Sequence, residues 1–161
     1  MKLWRIAAET RQYRADDLSG AGAANNPGRW NADGEPMVYA ALSIALAVLE
    51  TAAHVDDAGL PLNRYLVELD VPDEVWNARQ ILLPHQLPNT WDAIPAGHGS
   101  VSVGSQWLRA QASAILQVPS VIVPEELVVL VNPKHADVRR IQTGVVRRFE
   151  YDLLFRRAGH P

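Results

Sequence analysis

Two charged residues in the stretch PGRWNADGEPMVYAALSIALAVLE, residues 27–50, have types and settings that suit chemistry. Arg29 sits between a glycine and a tryptophan in a turn-rich segment, and Glu50 ends a run that is otherwise almost wholly apolar. An arginine offers a planar fork of donors matched to phosphate or carboxylate and stays charged at every working pH. A desolvated carboxylate can hold a ribose hydroxyl and stabilise positive charge at an anomeric carbon. Trp30 and Tyr39 supply flat faces for stacking a base or a pyridinium ring. Together these residue types suit a nucleotide with a cationic leaving group.

Glu50 needs an explanation in its own right. Its helical neighbours one turn away are Leu46, Ala47, Ala53 and His54, none a permanent cation. A carboxylate buried without a partner is costly, so Glu50 must be paired from elsewhere, hydrated in a cleft, or protonated. Arg29 is the candidate partner, since a single turn and strand separate it from this helix. The alternative places Glu50 on a narrow solvent stripe with Ala47 and His54. Glu50 and His54 also have the spacing of a two-ligand metal pair, but Asp56 and Asp57 read as a helix end, and no metal is expected.

The elements that must carry these residues follow from pattern. KLWRIA reads as a short strand, and DDLSGAGAANNPG as a long loop whose GAGAAN lacks the strand-to-helix setting of a phosphate cradle. NADGEP is a turn with Asp33-Gly34 at the natural site for positive φ, and MVYAA is a strand. Ser43 caps a helix over residues 44–54, apolar nearly all round and so expected to be buried. RYLVELDVP alternates as a half-exposed strand. Residues 72–100 suggest short helical turns and loops, and SQWLRAQASAIL a helix over 105–116 capped by Ser105. PSVIVP and ELVVLVNP read as adjacent buried strands, and RRIQTGVVRRFEYDLL as one or two more. Six or seven strands with two or three helices, without strict alternation, predict a single α+β domain built around a bent mixed sheet.

The totals set limits. The chain has 161 residues and a formal charge of −3, which gives no electrostatic case for nucleic acid or an anionic membrane. It has no cysteine, so thiolate nucleophiles and Cys-ligated metals are excluded. The start of the chain lacks the apolar core of a signal peptide, and the apolar run from Met37 to Leu49 is too short to span a bilayer, so the cytoplasm is the expected location. The C-terminal arginines, Arg139, Arg140, Arg147, Arg148, Arg156 and Arg157, have no aromatic platform beside them and read as a solvated face or a protein dock.

Three blocks in order then resemble a known family: GRWN-x-x-G-x-x-x-VYAA-x-S-x-A-LA-x-LE, VPS-x-x-VP-E near 118–125, and NP-x-H-x-D at 132–137. They are similar to the RES-domain toxins of bacterial toxin–antitoxin pairs, named for an arginine, a glutamate and a serine that fall here on Arg29, Glu50 and Ser120. The likeness runs over residues 1–155, leaving 156–161 as a tail; Lys134, Ala136 and the LLFR ending depart from the family pattern.

The resemblance implies a fold like that of ADP-ribosyltransferases and cleavage of the nicotinamide–ribose bond of NAD⁺, with water or inorganic phosphate as acceptor. NAD⁺ is then a substrate, and no cofactor is implied. In this reading Arg29 grips the diphosphate, with Arg5 as a second clamp. Tyr39 packs on the nicotinamide ribose or ring, and Glu50 holds the ribose hydroxyls and stabilises the sugar cation. Ser120 orients Glu50 or the ribose. Trp30 and Asn31 of the GRWN block, and Asn132 of the NP turn, are carried as substrate-binding positions, although Trp30 also suits packing and Asn132 also suits tying down its turn. The implied partners are an adjacently encoded antitoxin with a DNA-binding domain and a second copy of the chain within the complex. Two rivals stand beside it: a protein ADP-ribosyltransferase using the same cleft, and an inactive module that binds a nucleotide or partner.

Overall fold

A computed structural model describes residues 1–54 and 62–154. The elements run β1 (Lys2–Ala8), α1 (Ala21–Asn25), β2 (Val38–Ala41), α2 (Ile44–Ala52), β3 (Arg64–Asp70), α3 (Asp73–Asn77), β4 (Gln80–Ile81), α4 (His98–Ala110), β5 (Ile115–Pro119), β6 (Leu127–Val131) and β7 (Gln142–Phe149). The seven strands form one sheet in the order β4-β5-β6-β2-β1-β3-β7. Only β4 and β5 are parallel; the other neighbours are antiparallel. The α+β expectation holds, with four α-helices, two of them five residues long.

Strand alternation sorts the core into two faces. Leu3, Ala7, Val38, Ala40, Val67, Leu69, Val129 and Val131 pack on one side. Ile6, Ala41, Leu66, Leu116, Val118 and Leu130 pack on the other, with Leu46 and Ala47 of α2, Trp107 and Leu108 of α4, and the loop tryptophans Trp30 and Trp91. This second face carries the site. Helix α4 lies so close to the Trp30 backbone that a Cβ on Gly104 would fall 1.7 Å from the Trp30 carbonyl oxygen.

Several boundaries differ from the sequence reading, each for a physical reason. The GAGAAN segment is not all loop: α1 forms there behind Gly20, whose φ of 72° turns the chain in. Helix α4 runs from 98 to 110 rather than 105 to 116. Ser105 is therefore an interior residue donating to the Glu35 carboxylate, and Gln111 ends the helix in the left-handed region with φ 48°. The ILQVP that follows is wholly buried and forms β5, so the first of the two adjacent strands ends at Pro119, and VIVP belongs to the turn after it. Helix α2 is not buried all round. Leu46 and Ala47 are buried, whereas Ile44, Ala45 and Leu49 face solvent, because nine residues lying across β1 and β2 present one stripe inward. The expected helix end at Asp56 and Asp57 and the tail at 156–161 lie outside the described residues.

Two features fall where expected. Ser43 caps α2, its hydroxyl accepting from the Leu46 N–H at 3.1 Å. Gly34 has φ 74° in the NADGEP turn. Strand β7 closes one edge with Arg147 and Arg148 exposed and a bulge where it passes Leu66 and Val67 on β3, both devices that blunt edge pairing. No helix among the described residues is long and apolar enough to cross a membrane.

Candidate active site

The Arg29 end of the site is built from the loop between α1 and β2. Gly28 packs on the Tyr39 ring so tightly that a Cβ would lie 2.7 Å from Cζ and from the hydroxyl oxygen, which explains the glycine. The Gly28 N–H donates to Asn31 Oδ1 at 2.9 Å, and the Trp30 N–H donates to the Tyr39 hydroxyl at 3.0 Å. Trp30 is buried and stacks on Trp91, with ring centroids 6.3 Å apart. That stack sets the neighbouring loop, and Arg29 Nη1 donates to the carbonyls of Trp91 at 3.0 Å and Ala93 at 2.8 Å. Among the described residues those are the only protein hydrogen bonds of the guanidinium. Nε and Nη2, the edge suited to bidentate grip of an oxyanion, are left over.

The Glu50 end is built from α2 and the turn after β5. Glu50 lies four residues beyond the buried Leu46 and three beyond the buried Ala47, on the inward stripe of the helix. Ser120 follows Val118 by two residues and so points to the same sheet face. Its hydroxyl accepts from the N–H groups of Ile122 at 3.1 Å and Val123 at 3.0 Å, and donates to Glu50 Oε1 at 2.5 Å. Both hydroxyl lone pairs are occupied by N–H groups, so its one proton must point at Glu50, which accepts. The partner of Glu50 is thus Ser120 rather than Arg29: no ion pair joins Arg29 and Glu50 among the described residues. His54 turns its Nδ1 onto the Glu50 backbone carbonyl at 2.8 Å, away from the carboxylate.

The remaining sequence-derived positions fall into three groups. Tyr39 belongs with Arg29. Its hydroxyl donates to Asn31 Oδ1 at 2.7 Å, and burial pushes it well above the usual tyrosine range despite the Trp30 N–H and the Arg29 charge, so it stays neutral. Trp30, Asn31 and Asn132 are buried, and the side-chain amides of both asparagines are engaged. Asn132 donates from Nδ2 to the Leu108 carbonyl at 3.0 Å and accepts the Lys134 N–H at 3.0 Å, tying the NP turn to the end of α4. Arg5 stands apart. It shares a strand face with Leu3 and Ala7, opposite to Trp4 and Ile6, and donates to the Asp17 carbonyl at 3.2 Å. Burial pulls its guanidinium down to about 10, partly offset by Asp17, Tyr13 and Asp16.

Sequence reasoning missed the carbonyls of Trp91 and Ala93, and backbone acceptors leave no trace in residue type. It also missed Glu35. That carboxylate accepts from Ser105, from the Ala32 N–H at 3.0 Å and from Arg109 at 3.4 Å, fastening the Arg29 loop to α4. Burial alone would raise its pKa, but these donors outweigh burial and hold it below the ordinary value of 4.5.

An α+β sheet bearing an arginine on one loop and a serine-bound glutamate on the same face defines a structural class rather than one activity. The chain is more specific than that, because residues 2–153 match the RES domain family, to which it belongs. It is 56% identical over 149 residues to the "Prs ADP-ribosylating toxin" of Sphingobium sp. (strain YBL2), covering 92% of both chains. It is 36% identical over 145 residues to the "Toxin Res" of Yersinia enterocolitica, covering 90% of this chain and 92% of that one. Among solved structures, it is similar in fold to a chain of the M. tuberculosis MbcT-MbcA toxin–antitoxin complex. That match has a TM-score of 0.63 at 20% identity and covers 91% of this chain and 84% of that one.

Proposed function

We propose that this protein is the toxin of a bacterial toxin–antitoxin pair and that it breaks the nicotinamide–ribose bond of NAD⁺. The observation that carries the reading is the Ser120–Glu50 hydrogen bond on the sheet face over which the Arg29 loop also folds. Nicotinamide is a cation when attached and leaves as a neutral ring with the bonding electron pair, so its departure needs no general acid. The site must instead stabilise the sugar cation left behind. Glu50, polarised from one side by Ser120, keeps its second oxygen for a ribose hydroxyl and places negative charge beside the anomeric carbon. Arg29 supplies Nε and Nη2 to the diphosphate and fixes the substrate relative to Glu50. An acceptor oxygen then bonds to the anomeric carbon and releases its proton to solvent.

The acceptor is where two readings divide. Water or inorganic phosphate would make the protein an NAD⁺ glycohydrolase or phosphorylase. A protein acceptor is favoured by the Sphingobium relative, which is named "Prs ADP-ribosylating toxin". Purified protein incubated with NAD⁺ decides, with phosphate or purified Prs added in separate arms and products identified by mass. Release of nicotinamide is expected in the productive arm, with the ADP-ribosyl group on the acceptor used. Intact NAD⁺ in every arm would overturn the reading.

The partner reading follows from the same chemistry. An enzyme that consumes NAD⁺ or disables an essential protein harms its producer, so an inhibitor is proposed in the adjacent reading frame, with a DNA-binding domain, forming a complex that contains two copies of this chain. Expression alone should arrest growth and co-expression with that frame should restore it. Healthy growth at high yield of the wild-type protein alone would count against the toxin.

A further inference from the structure

The N–H groups of the residues before and after Arg29 end in one buried knot. The Gly28 N–H reaches Asn31 Oδ1, and the Trp30 N–H reaches the Tyr39 hydroxyl, which donates in turn to the same Oδ1. At its other end Asn31 donates from Nδ2 to the carbonyls of Ala23 and Glu35, both at 2.9 Å, with the Ala32 carbonyl further off at 3.2 Å. The residue is 1% exposed. Two lone pairs and two protons are the whole capacity of a side-chain amide, and all four are in use. Nothing polar is left on Asn31 to offer a substrate.

We infer that Asn31 is a positioning residue for Arg29 rather than a substrate contact. Catching the N–H groups of the residues before and after Arg29 confines the short Gly28–Trp30 segment, and so narrows the direction in which the Arg29 side chain departs. The Trp91 and Ala93 carbonyls then hold the far end of that side chain, so the guanidinium is aimed before any ligand arrives. Preorganisation of this kind appears as affinity, because the cost of ordering the clamp is met during folding. Only an amide fits the knot. The substitution Asn31→Asp would turn a second acceptor toward the carbonyls of Ala23 and Glu35, and a shorter hydroxyl side chain could not span them. The inference rests on the reading of Arg29 as the diphosphate clamp.

The test is calorimetric titration of the full chain with ADP-ribose, which keeps the diphosphate and needs no turnover, with melting recorded for every variant. Arg29→Ala should weaken binding by about 10- to 100-fold, the range for a charge-assisted contact. Asn31→Ala should weaken it by about 10-fold, and adding Asn31→Ala to Arg29→Ala should cost nothing further, because the effect passes through Arg29. Turnover of NAD⁺ by Asn31→Ala should show a raised KM with kcat within about twofold of wild type, as for lost uniform binding. If Asn31→Ala does not fold, Tyr39→Phe removes one strut of the knot at nearly constant shape. It should weaken ADP-ribose by about threefold in the wild-type background and not at all beside Arg29→Ala. Unchanged affinity in the folded variant, or equal losses with and without Arg29, overturns the positioning role alone. Unchanged affinity in Arg29→Ala overturns the clamp and the inference together.

Discussion

Around Arg29 the chain is fixed from several directions: a glycine pressed on a ring, an amide bonded at both ends, a tryptophan stack and two carbonyls on one guanidinium nitrogen. Glu50 is held by one hydroxyl, itself anchored by two turn N–H groups, on a helix of nine residues whose outer stripe is exposed. The Arg29 end of the site is therefore rigid by redundancy, and the Glu50 end depends on a single contact. Loss of one strut near Arg29 should be absorbed in part by the others, whereas loss of Ser120 leaves Glu50 without a protein partner among the described residues.

That contrast can be broken in order of expected effect. Glu50→Gln keeps the shape and the capacity to accept from Ser120 but removes the charge; turnover should fall by about 10²- to 10³-fold, as when one stabilising group is removed from a charged transition state, while the melting temperature hardly moves. Full activity in that variant would end the proposed role of the carboxylate. Ser120→Ala acts on both fold and chemistry. It takes the acceptor from the Ile122 and Val123 N–H groups at a cost of about 1–2 kcal/mol, seen in denaturant unfolding, and lowers kcat by less than Glu50→Gln does. A stability loss with kcat unchanged would reduce Ser120 to a turn residue.

Glu35 sharpens the comparison from the rigid side. Its depressed pKa means that the contribution of this carboxylate to stability is complete above its ordinary value of 4.5 and is lost as pH falls through the lower folded value. Glu35→Gln should therefore flatten the acid limb of the stability profile below about pH 4.5, followed by the unfolding midpoint across pH. An unchanged limb would place the acid sensitivity elsewhere. The smallest effect is expected at Ser43, where alanine removes the cap of α2 at a cost of about 1 kcal/mol in chemical unfolding. Because α2 carries Glu50, a drop in kcat larger than that stability loss explains would show that the weakly held end also feels its helix terminus.

What could be read from sequence divides along the same line. The α+β class, the strands at KLWRIA, VYAA and RYLVELD, the Ser43 cap and the Gly34 turn all rest on local rules of alternation, capping and positive φ, and the structure has them. Arg29, Tyr39 and Glu50 stood out by residue chemistry and Ser120 by family likeness alone; Tyr39 and the neighbours of the other three, Trp30, Leu46, Ala47 and Val118, pack on one sheet face. The failures are non-local. Ser105 looked like a cap because a serine preceded a helical pattern, yet its hydroxyl goes to Glu35, 70 positions away in the chain. AIL at 114–116 carries a pattern that either element could own, and burial in the sheet decided for the strand. Arg5 entered as a second clamp with the family reading, and strand alternation sets it on the face of Leu3 and Ala7, opposite to Trp4 and Ile6.

Gly104 extends the site beyond its own residues. It sits in the middle of α4, contributes no chemistry, and leaves room for the carbonyl of Trp30 where any other residue would put a carbon. The depth to which the arginine-bearing loop can settle is thus gauged by a vacancy on a distant helix. A single methyl there would act as a shim, lifting the loop and swinging its guanidinium off line. If Arg29 is the proposed clamp, its reach is therefore set in part at a position that supplies no group to the substrate at all.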